Sequence, residues 1–367
     1  MSAYDAFLLV SFGGPERPED VLPFLENVTR GRGVPPERLA AVAEHYYAFG
    51  GMSPINQQCR DLLAALHADF AGNGLRLPLY WGNRNWAPYL ADTVRTMAAD
   101  GVQHAVAFVT SAYSSYSSCR QYLDDIAQAR AAVGAAAPRI DKIRRFFNHP
   151  GFIGPFAEHA RAALATLPAG LRDGAHLVFT AHSIPVAMAD ASGPPSAPPT
   201  TTTPSAQPIK PAAPAGHRYV AELTEAARLI AERTDGGAHP WTLAYSSRSG
   251  PPSQPWLEPD VGDHLAELAR SGVKAVVVVP VGFVSDHMEV RHDLDAEAAH
   301  AAGVLGLAFA RAATPGAHPG FVSMVTDLVR ERIGLPPGHA AALGSIGVPD
   351  QDCLADCCRY QSAARPG

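Results

Sequence analysis

Residues Ala275–Ala298 read AVVVVPVGFVSDHMEVRHDLDAEA. The opening run, Ala275 to Pro280, is apolar at every position before the proline, with no alternation of polar and apolar residues. That pattern fits a strand covered on both faces, as in a parallel sheet sandwiched between helices. Immediately beyond it lies a loop bearing His287 and Glu289, and in open α/β sheets ligands collect where strands give way to loops. Working outward, the same grammar recurs. Strands are expected at His176–Thr180 and Trp241–Tyr245, separated by helical patterns at Arg218–Thr234 and Val261–Arg270. Further upstream, apolar runs at Phe7–Ser11, Leu79–Trp81 and Ala105–Thr110 alternate with amphipathic stretches from Glu19, over Tyr89–Ala99 and over Tyr122–Ala132. The expectation is an α/β protein of two doubly wound lobes with parallel sheets.

The sequence divides accordingly into an N-terminal lobe, 1–150, and a C-terminal lobe, 151–315, with the break at His149-Pro150-Gly151. A final helix, about Gly320 to Ile333 within 316–334, could return to either lobe, and 335–367 form a cysteine-containing tail. Between Ser192 and Gly216 the chain is rich in Pro, Thr and Ala and nearly lacks large apolar groups. This 192–216 segment is expected to be an extended or disordered insertion, either a lid or a surface embellishment.

Length and composition narrow the function. At 367 residues the chain suits two domains, and 47% hydrophobic against 17% charged residues provides ample core. A net charge of -6 with no Lys/Arg cluster interleaved with aromatics argues against nucleic acid as a partner. No export signal precedes Phe7–Val10, and the longest apolar run is about half the ~20 residues a membrane helix requires, so a cytoplasmic protein without membrane insertion is expected. Five cysteines, three of them at Cys353, Cys357 and Cys358, suit metal or redox chemistry better than a secreted disulfide framework.

The segment LVFTAHSIP (Leu177–Pro185) places His182 directly after a buried strand, where a neutral imidazole can accept a proton or ligate a borderline metal. Glu289 occupies the corresponding position after Ala275–Pro280. If a helix begins near Asp286, then Glu289, Asp293 and Glu297 follow at i, i+4 and i+8 and stack three acids on one face, a repulsion that a hydrated divalent cation or a proton relay would relieve. SFGGP, with Gly13 and Gly14, lacks the full dinucleotide fingerprint. FGGMSP around Ser53 and TSAYSSYSSCRQY (Thr110–Tyr122) offer small polar groups beside aromatics, a surface suited to a flat, partly apolar, carboxylate-bearing ligand.

Taken in order, LLVSFGGP, FGGMSPIN with Ser53, HSIP with His182, YSSRSGPPSQPWLEP with Arg248 and Trp256, and GFVSDHMEV with Glu289 resemble the ferrochelatase family over roughly Tyr4 to Arg332. The likeness is closest to the bacterial branch that metallates coproporphyrin III, whose members are soluble and typically monomeric. It implies two Rossmann-like lobes clamping a porphyrin between a histidine and a glutamate, at the positions of His182 and Glu289, with Fe²⁺ as the substrate metal. It also implies that Ser53, Tyr122 and Arg30 of VTRGR touch the macrocycle or its propionates. Phe12 stands where some relatives carry an iron-ligating tyrosine, so that axial contact is expected to be absent. Asp293 and Glu297 would line a hydrated route behind Glu289.

Some bacterial relatives carry a [2Fe-2S] cluster on cysteines like those of CLADCC (Cys353–Cys358). A fourth ligand is then needed, expected either after the HSIP loop or upstream in the tail, where this chain has Ser192 and the stretch Ala340–Ala342. His339, Cys119 and Cys59 remain candidates that spacing does not separate; Cys59 and Cys119 otherwise read as packing residues. Two further readings stay open: a chelatase for another metal or tetrapyrrole, such as Co²⁺ or protoporphyrin IX, and a non-enzymatic carrier using the same cleft.

Overall fold

The computed structural model of the chain describes residues 4–31, 33–194, 217–250, 253–338 and 341–360. Its first half runs β1 (Ala6–Ser11), α1 (Val21–Val28), α2 (Pro36–Tyr47), α3 (Ile55–Gly72), β2 (Leu79–Asn83), α4 (Leu90–Ala99), β3 (His104–Val109), α5 (Gln121–Val133) and β4 (Arg139–Lys142). The second half runs α6 (Pro150–Thr166), β5 (His176–His182), α7 (Val186–Asp190), α8 (Arg218–Asp235), β6 (Trp241–Ser246), α9 (Val261–Arg270), β7 (Ala275–Val279), α10 (Ala299–Val304), β8 (Ala308–Arg311) and α11 (Pro319–Arg332). The two four-stranded sheets have the orders β2-β1-β3-β4 and β6-β5-β7-β8, and every ladder is parallel. The strand order therefore reverses direction beside β1 in one sheet and beside β5 in the other, the places where such sheets bind ligands.

All residues of β1 and β7 are buried, as expected for strands covered on both faces. One continuous core joins the two sheets: Phe7, Leu9 and Phe108 from the first and Phe179, Val277 and Val279 from the second meet side chains of α3, α6, α8 and α11, including Leu66, Phe152, Leu223 and Phe321. On the outer faces, Leu90, Val94 and Ile126 cover the first sheet, and Leu265, Leu294 and Ala302 cover the second. Helices α1 and α2 keep a small cluster of their own around Phe24, Leu25 and Ala43, joined by Tyr46 and Trp86. The sequence reading missed β4 and β8 because RIDK and AFAR carry charges where an apolar run was sought.

A helix starts at His149-Pro150-Gly151, where the boundary between lobes is expected. Proline occupies the first turn of α6, where it forfeits no hydrogen bond, and the His149 Nδ1 accepts the Gly151 N–H at 3.1 Å. The same four residues recur as His318-Pro319-Gly320-Phe321 at the start of α11, where the His318 Nδ1 accepts the Gly320 N–H at 3.1 Å. The two helices then change sides. α6 follows the first sheet yet packs on α8, β7 and β8; α11 follows the second sheet yet packs on α3 and β3. They cross so closely that a Cβ added to Gly151 would lie 2.4 Å from the Gly320 carbonyl oxygen.

Beyond α11 the tail folds back. Asn148 donates to the carbonyls of Leu343 and Gly347, and Arg332 pairs with Asp352 at 2.9 Å. Most of the Pro/Thr-rich insertion, 195–216, lies outside the described residues, as does His339. No described helix is long and apolar enough to cross a membrane.

Candidate active site

His182 is the last residue of β5. The loop after it is pinned: Ser183 donates its N–H to the Ser246 carbonyl at 2.8 Å and its hydroxyl to Leu257 O at 2.9 Å, while Tyr219 donates its hydroxyl to His182 O at 2.8 Å. The imidazole Nδ1 sits against the carbonyl oxygen of Ser183. A carbonyl can only accept, so Nδ1 carries the proton and Nε2 of the neutral ring presents a lone pair.

The loop after β7 comes to the same place through a glycine. A Cβ on Gly282 would stand 2.7 Å from both Cα and Cβ of Ala181, so only glycine lets this loop lie against β5 directly behind His182. Its continuation brings the Glu289 Oε2 to 3.7 Å from the His182 Nε2, with both side chains open to solvent, at 34% and 50% exposure. A neutral imidazole lone pair and a carboxylate facing each other repel unless a proton or a cation lies between them. Metal–nitrogen and metal–oxygen bonds of roughly 2.1 Å at a tetrahedral angle separate the two donors by about 3.4 Å, close to the gap seen.

Beyond Glu289 the chain forms a π-helix, Val290–Ala298, rather than an α-helix starting near Asp286. The wider turn is a rare feature that gathers at functional sites. Asp293 points inward, where it accepts the Ser247 hydroxyl and meets the His292 Nδ1 at 3.3 Å. Burial first, and then the Glu289 charge against the pull of the Ser247 bond, leave its carboxyl above the usual range. Ser247 holds this contact from left-handed backbone, φ +63°, a conformation uncommon for a residue with a side chain. Glu297 is exposed, yet His292, Asp293 and Glu297 present ligand atoms within 4.8 Å of one another. Arg311 anchors the segment by pairing with Asp286 and Asp295. His287 packs edge-on to Phe283, and burial lowers its imidazole pKa.

The first lobe meets the loop after β7 at Gln58, whose Oε1 accepts the Asp286 N–H at 2.8 Å. At the end of β1, a Cβ on Gly14 would meet the Ser53 Cβ at 2.7 Å, so the SFGGP turn rests on buried Ser53. Phe12 beside it is 37% exposed. Tyr122 is almost wholly buried, with the Arg84 guanidinium 4.6 Å above its ring. Arg30 is exposed just past the end of α1. Helix α2 reaches the acids as well: His45 stacks on His292 at 3.8 Å with the rings 7° from parallel, and burial together with the Glu289 charge raises the Tyr46 hydroxyl pKa. Neither His45 nor Tyr46 carries a signal in sequence, because nothing local announces what a helix tip will cover. Ser247 lies inside a motif quoted above, but its αL backbone was not legible.

The cysteines form a second constellation. Cys119 sits in a π-helical turn, Tyr116–Arg120, ahead of α5, and its Sγ lies 3.6 Å from that of Cys353. Cys357 and Cys358 have their sulfurs 3.7 Å apart, and the Cys358 Sγ accepts the Gly193 N–H at 3.1 Å. Cys119 is buried, as a packing residue would be, and also touches a tail cysteine, whereas Cys59 belongs to the central core. Ser192 accepts the Tyr219 N–H and so belongs to the fold beside Gly193.

A doubled parallel α/β fold with an imidazole and a carboxylate 3.7 Å apart at the strand ends of its second sheet defines the class of protein. The chain belongs to the ferrochelatase family, whose model matches residues 4–333. It is 53% identical to the coproporphyrin III ferrochelatase of Streptomyces coelicolor, over 100% of this chain and 96% of that one. It is 52% identical to the protein of the same name from Nocardia farcinica, over 98% and 97%, and 49% identical to a ferrochelatase of Rhodopirellula baltica, over 99% and 95%.

Proposed function

We propose that the chain inserts ferrous iron into coproporphyrin III, with His182 and Glu289 as the catalytic pair. The observation that carries this reading is the 3.7 Å approach of two proton- and metal-binding atoms contributed by adjacent strand ends. Metallation requires that a porphyrin lose two N–H protons while Fe²⁺ exchanges water for four nitrogens. His182, its Nδ1 proton committed to Ser183, offers Nε2 to a pyrrole proton or to the metal. Glu289 offers the second acceptor. Asp293, with its raised proton affinity, and exposed Glu297 then extend from Glu289 toward solvent as a hydrated route for protons or metal. Ser53, Tyr122 and Arg30 are assigned to the macrocycle wall, with exposed Arg30 suited to a propionate. Incubating the protein anaerobically with Fe²⁺ and either coproporphyrin III or protoporphyrin IX, and separately with Co²⁺, tests this in the visible spectrum. Faster metallation of coproporphyrin III by Fe²⁺ supports the assignment; spectral binding with no metallation would replace it with a carrier.

We further propose that Cys119, Cys353, Cys357 and Cys358 hold a [2Fe-2S] cluster. Two thiolates on one tetrahedral metal with bonds of ~2.3 Å have sulfurs roughly 3.8 Å apart, and the cysteines stand as two such pairs, at 3.6 and 3.7 Å. The sulfur contact with Cys353 and then burial raise the Cys119 thiol, which a bound metal would deprotonate outright, whereas the contact with Cys357 lowers the Cys358 thiol. When bound, a cluster of this kind supplies one-electron chemistry and a four-point tie between the tail and the β3–α5 loop. Iron and acid-labile sulfide assays on anaerobically purified protein, repeated on Cys119→Ser, test the ligand set.

A further inference from the structure

Two buried cations lie near Cys119, and one of them, Arg145, also lies near Cys353, Cys357 and Cys358. Lys142, the last residue of β4, is 8% exposed and donates to the carbonyl of its neighbour Ile143 at 3.1 Å. Arg145 is 5% exposed, its Nε 3.2 Å from the Glu222 Oε1, yet that Nε makes no hydrogen bond among the described residues. Glu222 is already engaged, accepting the Ser114 N–H and the Ser114 hydroxyl at 2.7 Å each. Glu222 thus answers Arg145, while Lys142 makes no ion pair with a carboxylate among the described residues, and a buried charge without a counter-charge is costly.

What could balance the excess lies next to it. Burial depresses the affinity of Arg145 for its proton, but Glu222 and then the Cys119, Cys353 and Cys357 sulfurs more than restore it. Lys142 and Arg145 act in turn to lower the Cys119 thiol. Two ferric ions, two sulfides and four thiolates carry a double negative charge, and one-electron reduction adds a third. We infer that Lys142 and Arg145 are the counter-charges of the cysteine site and, as positioning residues, set the reduction potential of what it holds. This inference rests on the cluster reading above. Glu222 opposes them, and its two bonds to Ser114 carry the same charge balance into the turn that leads to Cys119.

The test is a potentiometric titration with dithionite, followed by visible absorption and electron paramagnetic resonance, on intact protein. Arg145→Met and Lys142→Met should each destabilise the reduced state and lower the potential; a tenfold loss in the reduction equilibrium corresponds to ~59 mV for one electron. Glu222→Gln should raise it. The reversal of sign is the decisive readout, because a residue that served only packing would not shift the potential in opposite directions with charge. Should Arg145→Met fail to fold, Lys142→Met and Glu222→Gln decide. A loaded cluster whose potential is the same in these variants as in the parent overturns the inference and leaves the ligand assignment standing. Parent protein free of iron and sulfide would overturn both.

Discussion

The two sheets were built on one plan and given different cargo. Each has the order 2-1-3-4, counted within its own half, and each follows its third strand with a π-helical turn, Tyr116–Arg120 in the first lobe and Val290–Ala298 in the second. At the end of the first strand of each half, however, stands Ser11 followed by Phe12 and two glycines in one case, and His182 in the other. The π-turn of the first lobe carries Cys119; that of the second carries Asp293 and Glu297. Topology therefore fixes where a site forms, while the residues at the strand ends fix what it does. In the function proposed above, the second lobe would bring the groups that bind protons and metals, and the first small and aromatic residues such as Ser53 and Phe12.

The largest effect should come from removing the chemistry that distinguishes the second lobe. His182→Ala is expected to reduce metallation roughly a thousandfold, in the range of lost acid–base catalysis, while coproporphyrin III binding, read by fluorescence quenching, stays within a few-fold of the parent. Turnover near normal would show that the difference between the two strand ends is not the one that matters.

Next comes the pair of matching corners. In α6, Gly151 has the backbone of Gly320 2.4 Å from its virtual Cβ, whereas an added Cβ on Gly320 meets only the His318 and Pro155 side chains, at 3.3 and 3.4 Å. Gly151→Ala should force the α6–α11 crossing apart and cost about 3 kcal/mol, the upper end of ordinary overpacking. Gly320→Ala should cost under about 1 kcal/mol, since helix propensity offsets a mild squeeze. Urea midpoints of both variants give the comparison directly, and equal losses would mean that the crossing can relax.

How much of this could be read in the sequence follows the range of the forces involved. His182 and Glu289 were legible because each follows an apolar run, and a buried parallel strand announces its own end. His149-Pro150-Gly151 suggests a boundary because proline ends a helix as readily as it begins one; which of the two it does depends on what the next turn packs against. The π-turn was taken for an α-helix because the spacing of Glu289, Asp293 and Glu297 suits either. Spacing does not separate Cys119 from Cys59, because the neighbour of Cys119, Cys353, is 234 positions away and reaches it only after α11 has crossed to the first lobe and the tail has turned back. His45 and Tyr46 are matched to Glu289 and His292 by the same kind of long-range contact.

The smallest effects are the most diagnostic of the two lobes' electrostatics, because one aspartate in each responds to pH with opposite sign. Asp141, in β4, is pushed upward by burial, but hydrogen bonds from Arg139, His104, Tyr4 and Arg332 outweigh this and hold its carboxyl well below the usual range. Its folded-state value is thus depressed, so its stabilisation is complete above the unfolded value of ~3.9 and fades as pH falls toward the folded value. Arg332 closes α11, so Asp141 also ties that helix to the first sheet, at 3.2 Å. Asp141→Asn should cost about 2 kcal/mol at neutral pH, as expected for lost charge-assisted hydrogen bonds. Asp293 is the reverse. Its raised folded-state value means that the ionised form burdens the native protein at neutral pH, a burden relieved as pH drops through that value. Asp293→Asn, whose amide oxygen can still accept the Ser247 hydroxyl, should therefore stabilise the fold slightly at neutral pH, with the gain vanishing in acid. Urea midpoints measured from about pH 8 down to about pH 2 would show the Asp293→Asn gain vanishing first, and the Asp141→Asn cost starting to shrink only below about pH 3.9. If Asp293→Asn instead destabilised the protein at neutral pH, the carboxylate would be held by a favourable partner, and the acids of the second lobe would be structural ties like Asp141 rather than groups kept under strain for metal and proton traffic.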